Sequence, residues 1–214
     1  MVKTRSGDSS TTKSSSVPRG KEAQASQSRR YAIIHLVGSI ITLGLLWWSW
    51  DAIAVPQLGL NRLHVHSLSD RVIFTIRHQL PGLLAILISV LHISLTRAFT
   101  LAVNLLSGNE HLVEVGNRVL TNTIEQYILT AVNQLILATH VAEAHLRFIP
   151  LISVTFLLGR ILFLAGYLRS PNYRGLGFNL TFLPTLAMTA ANIYYTTTLG
   201  YVHHLGTTFG SARG

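Results

Sequence analysis

Residues 116–140 read GNRVLTNTIEQYILTAVNQLILATH, a run long and apolar enough to cross a bilayer that nevertheless carries an arginine, a glutamate and several amides. On a helix of about 3.6 residues per turn, Arg118, Asn122 and Glu125 fall on one face. At roughly 1.5 Å rise per residue, Glu125 sits about 10 Å along the axis from Arg118. A carboxylate at that depth costs several kcal/mol unless it meets a partner or water, so Glu125 is a candidate ligand-holding group. Candidate partners elsewhere in the chain are Arg160, Tyr167, Arg169 and Arg174. Asn133 and Gln134 read differently, as hydrogen-bonding glue between packed helices.

The composition agrees with a membrane setting. Of 214 residues only 12% are charged, below the quarter or so typical of soluble proteins. There is no cysteine, which removes disulfides, thiolate metal sites, a cysteine nucleophile and palmitoylation. The formal charge is +9, but seven of the 17 basic residues precede the first apolar run, where they act as an orientation signal. No aromatic residue accompanies them before Tyr31, so they lack a stacking platform for bases and a nucleic-acid partner is not expected.

Outward from the central stretch, the chain divides readily. Residues 1–30 are polar and basic and are expected to form a disordered tail. Residues 31–50 form a first span, with His35 as its one ionisable side chain and Trp47, Trp48 and Trp50 gathered at its far end as an interfacial belt. The following Ala52-Ile-Ala54 resembles a signal-peptide cleavage site, but the long preceding tail and full-length apolar run favour a retained anchor. Residues 51–78 are expected to be a loop, with an amphipathic turn near Val72–Ile76. His64 and His66 within it lack further ligands at diagnostic spacing for a metal.

Further spans are expected near 79–96, 119–139, 148–167 and 178–200, with residues 201–214 as a flexible end. Pro81 stands where a first-turn proline is tolerated. Five crossings put the termini on opposite sides. With the tail cytosolic, eleven basic residues lie on that side and five on the other, Arg160 being within a span. That bias favours a cytosolic N-terminus. The same topology brings Arg97, Arg118, Asn122, Glu125, Tyr167, Arg169 and Arg174 to one membrane face from successive spans, which is the best internal sign of a site.

The segments NRVLTNTIEQ (117–126) and GRILFLAGYLRSPNYRGLGFNLTFLPT (159–185) resemble the MAPEG superfamily, the membrane-associated proteins of eicosanoid and glutathione metabolism. The R-x-x-x-N-x-x-E element is matched by Arg118, Asn122 and Glu125. The R-x-x-x-x-x-G-Y-x-R-S element is matched by Arg160, Gly166, Tyr167, Arg169 and Ser170. The resemblance implies an all-α integral membrane protein, a four-helix bundle over about 79–200 preceded here by one additional helix, assembled as a homotrimer in an endomembrane such as the endoplasmic reticulum. It also implies glutathione as co-substrate, without a metal, held by Arg97, Arg118, Asn122, Glu125, Arg160, Tyr167 and Arg169. Arg174 is similar to the arginine that stabilises the thiolate in enzymatic members.

The chemistry suits that ligand, since glutathione's carboxylates call for arginines and its ammonium for an acid. A thiol of pKa about 8.5 is brought toward ionisation by a nearby arginine. Phe163 stands where eicosanoid-forming members often carry tyrosine, and the extra span is closer to the mattrin-like branch of the superfamily. Two functions therefore compete: a glutathione-dependent transferase or peroxidase for lipophilic substrates, and a non-catalytic membrane protein in trafficking or barrier lipid handling. A channel or transporter is disfavoured because no inverted repeat or pair of broken spans is visible.

Overall fold

The computed structural model describes residues 19–60, 65–100 and 108–200. The helices are α1 (Arg19–Ser49), α2 (Val55–Gln57), α3 (Leu68–Arg77), α4 (Leu80–Ala98), α5 (Glu114–His140), α6 (Phe148–Arg169) and α7 (Gly175–Leu199). Helices α4 to α7 form the four-helix bundle: α4 packs on α5 and α6, and α7 packs on the same two from the opposite side. The additional helix α1 lies against α7, outside that bundle.

Helix α1 begins at Arg19, within the segment expected to be a disordered tail. Residues 19–30 are rich in Ala, Glu, Lys, Gln and Arg, good helix formers, and they adjoin an apolar helix that already supplies the nucleus. The remainder of the expected tail, residues 1–18, and the expected flexible end, 201–214, lie outside the described residues. A π-helical turn, Trp50–Ala54, carries α1 on into α2.

The expected loop at 51–78 contains α3 as well. Ser67 caps it by accepting from the Asp70 amide at 3.1 Å, and Thr75 is fully buried on its inner face. Arg71 donates to the Val141 carbonyl at 2.7 Å, tying α3 to the end of α5. Near that end of the bundle Val65, Ala138, Val141, Leu146 and Ile149 form a core cluster.

Among the described residues, three helical stretches, Ser26–Gln57, Leu68–Ala98 and Glu143–Arg169, are long and apolar enough to cross a membrane. With 27 and 25 residues, α5 and α7 have the length, but polar side chains face inward from both. Asn192 of α7 donates to the Asn133 side chain at 2.9 Å and to its carbonyl at 3.0 Å. Gln134 accepts from Gln79 at 2.5 Å and donates to Ser153 at 3.2 Å. These two residues are interhelical glue, as their sequence context suggests.

Close approach of α6 and α7 is set by glycines. A Cβ on Gly177 would lie 2.3 Å from the Phe163 nitrogen and 2.5 Å from the Gly159 oxygen, so the two backbones touch there. This contact fixes the distance between the helices that carry most of the candidate site.

Candidate functional site

The start of α5, the end of α6 and the start of α7 meet at one end of the bundle, with a 3-10 turn, Pro171–Arg174, joining the last two. Arg118, Asn122, Phe163, Tyr167, Arg174, Gly175 and Phe178 line a cleft of about 400 Å³ there. Among the described residues its lining has two guanidinium groups, an amide, a phenol and two phenyl rings, and no carboxylate. Such a surface suits an anion with an apolar part.

Each polar group has a defined setting. Arg174 donates to the Tyr167 hydroxyl at 3.0 Å and stands 5.0 Å over the same ring. Arg118 is paired with Glu114 one turn earlier on α5 and also meets the Tyr167 hydroxyl. Beneath the cleft lies Arg160, only 2% exposed, donating to the Asn122 side chain at 2.8 Å and to the Thr181 hydroxyl. Its guanidinium stands over Phe163 at 4.9 Å and Phe156 at 5.5 Å, and its Nε has no partner. A buried guanidinium so held orients Asn122 rather than reaching the cleft itself.

A second, wider groove of about 610 Å³ adjoins the cleft on the outer face of α5. Glu110, Glu114 and Glu125 line it, together with His111, Asn117, Thr121 and the shared residues Arg118 and Asn122. Its carboxylates suit a cation. The two cavities together therefore suit a zwitterion, with Arg118 and Asn122 at the boundary.

The sequence-derived candidates divide on this geometry. Arg118, Asn122, Tyr167 and Arg174 come together in the cleft, with Arg160 under it. Glu125 is exposed on the outer face of the single chain, where a deeply buried position was the expectation. Arg97 pairs with Glu110 at 3.3 Å and reaches the groove only through that residue. Arg169 stands over Tyr173 at 5.8 Å and lines neither cavity.

Thr181, Phe178 and His35 are among the residues that sequence reasoning did not place at the site, as are Glu110 and Glu114 of the groove. Thr181 and Phe178 carry no local signal, since one hydroxyl and one phenyl among many acquire meaning only from α6 facing α7. His35 did carry a signal, as the one ionisable side chain in an otherwise apolar span. It reaches the turn before α7, where its Nε2 donates to the Asn172 carbonyl at 2.9 Å, two residues from Arg174.

Comparison with known proteins bears on the family. A family model described as the MAPEG family matches residues 80–194. Transmembrane protein 79 of Mus musculus is 26% identical over 164 residues, covering 77% of this chain and 41% of that protein. Transmembrane protein 79 of Bos taurus is 26% identical over 129 residues, covering 60% of this chain and 33% of that protein. The chain thus aligns with well under half the length of these curated relatives. No solved structure matches it.

Proposed function

Because this chain belongs to the MAPEG family, we propose that this multi-pass membrane protein holds glutathione in the cleft at the α5, α6 and α7 ends and uses it in a transferase or peroxidase reaction on lipophilic substrates. The observation that supports this reading is the placement of Arg118, Asn122, Tyr167 and Arg174 around one cavity, beside a groove lined by glutamates. Glutathione supplies a thiol, and two carboxylates and an ammonium by which a protein can hold it.

In this reading Arg118 pairs a carboxylate, Asn122 takes an amide or carboxylate oxygen, and Arg160 keeps Asn122 oriented from below. Glu125 takes the ammonium from the groove side. Arg174 faces the thiol and favours its ionised form, with Tyr167 holding the guanidinium in place. The phenyl rings of Phe163 and Phe178 form the cleft's apolar part, which suits a lipophilic second substrate. The protein would work as a homotrimer in an endomembrane, its tail and cleft on the cytosolic side, since a trimer would cover the exposed Glu125.

The test is titration of glutathione into purified protein in mild detergent, with thiolate absorbance and consumption of a model electrophile as readouts. Binding with thiolate formation and turnover is the expected result. The second reading, a non-catalytic membrane protein of the mattrin type in trafficking or barrier lipid handling, is favoured by the likeness to transmembrane protein 79, which runs over 164 residues and so beyond the family-matched stretch. Glutathione binding without a thiolate at neutral pH would leave that reading standing and remove the enzymatic one.

A further inference from the structure

The turn that carries Arg174 is gripped from two sides. On one side is α6: a Cβ on Gly166 would lie 2.6 Å from the Tyr173 oxygen and 3.2 Å from the Arg174 Cα, so the turn rests directly on α6 backbone. On the other side is the additional helix. His35 Nε2 lies 2.9 Å from the Asn172 carbonyl, and a Cβ on Gly175 would be 2.9 Å from the His35 ring. One turn earlier, the Tyr31 ring meets the Tyr173 ring edge-on at 6.1 Å, and one turn later the Ser39 hydroxyl lies 3.3 Å from the Leu176 carbonyl.

The far end of α1 is fastened separately. The Trp50 indole donates to the Arg147 carbonyl at 2.9 Å, Asp51 pairs with Arg147 at 3.2 Å, and Trp47 stacks on Phe148 at 4.1 Å. Helix α1 is therefore anchored to α6 at one membrane face while its other end presses on a 3-10 turn of four residues. In that turn, Ser170 caps the Asn172 amide only at 3.5 Å. A short turn with so weak an internal cap depends on what packs against it.

We propose that His35 is a positioning residue for Arg174: by donating from Nε2 to the Asn172 carbonyl, it makes the additional helix a clamp that holds the arginine against Tyr167 over the cleft. Arg174 is exposed, and long exposed side chains sample many rotamers. Its placement depends on where the turn puts its Cα, and His35 bears on that turn. The consequence is a division of labour, in which the four-helix bundle supplies the residues that would hold a ligand and the additional helix governs the one that would act on the thiol. That consequence rests on the glutathione reading, whereas the clamp does not.

The absence of cysteine makes the test direct. A single cysteine at Asn172→Cys leaves the backbone carbonyl acceptor in place and takes a spin label whose mobility reports the turn. In full-length protein in detergent, His35→Ala should raise label mobility, and His35→Gln, which keeps a donor of similar reach, should retain wild-type mobility. Unchanged mobility in His35→Ala, or equal mobilisation by both substitutions, overturns the clamp whether or not glutathione binds. In the second readout, His35→Ala should raise the bound thiol's pKa by about one unit, a tenfold fall in the thiolate-to-thiol ratio. Glutathione affinity should fall by less than that ratio, because the contacts assigned to Arg118, Asn122 and Glu125 are unaltered. Loss of affinity and thiolate in equal measure would mean that His35 only supports the fold. Wild-type protein that binds no glutathione would remove the functional reading and leave the mobility result to decide the clamp.

Discussion

Replacing Thr181 by valine removes one hydroxyl at the centre of the bundle and keeps the side-chain shape. In the native structure that hydroxyl accepts from Arg160 and donates to the Phe178 carbonyl at 2.9 Å. The carbonyl bond lies within α7 and is of the kind that contributes little. The bond from Arg160 is different, because the guanidinium is 2% exposed and its Nε already lacks a partner. Hydrogen bonds to charged groups contribute about 1.5–3 kcal/mol, and an abandoned buried donor has no water to replace the hydroxyl. Asn122 and the faces of Phe156 and Phe163 remain, so the loss should be near the middle of that range, about 2 kcal/mol. For a chain of this size that corresponds to about 4–8 °C in Tm. The assay is thermal unfolding in a fixed mild detergent, with Thr189→Val as control, since Thr189 bonds only to the Thr185 carbonyl of its own helix at 2.9 Å. A shift for Thr181→Val no greater than that of the control would refute the assignment of Arg160 as a hydrogen-bonded guanidinium that depends on this hydroxyl.

Three other outcomes follow from the same structure. Gly177→Ala should destabilise the protein by about 1–3 kcal/mol through overpacking against α6 backbone, while Gly44→Ala, whose Cβ would meet nothing within 4 Å, should be neutral or stabilising by thermal unfolding. Glu125→Gln should lower glutathione affinity at least tenfold by calorimetry and weaken a trimer measured by mass in detergent; if the residue faces lipid instead, the substitution should stabilise the chain and leave the assembly unaltered. Protease added to sealed microsomes should remove a tag placed before Arg30, and protection of that tag would reverse the proposed orientation of the cleft.

Much of the architecture was written in residue type and spacing. Apolar runs of spanning length, the Trp47 to Trp50 belt and Pro81 near a helix start depend on local composition, and bilayer thickness converts composition directly into helices. The residues that gather at the cleft were legible for a related reason: Arg118, Asn122, Tyr167 and Arg174 are costly or unusual where they stand, and their spacing places them at one end of successive helices. What residue type could not say was which way each side chain faces. Arg160 and Glu125 both read as ionisable groups at membrane depth, yet one is enclosed by Asn122, Thr181 and two phenyl rings while the other lies on the outer face of α5. Arg169 and Arg174 lie close together in the chain, and only the turn between α6 and α7 sends one to Tyr173 and the other to Tyr167. The bond from His35 to Asn172 joins residues 137 positions apart, so neither periodicity nor composition carries it. Such contacts are decided by helix packing, where the glycines at 159, 166, 175 and 177 let backbones and rings approach to distances that any side chain would prevent.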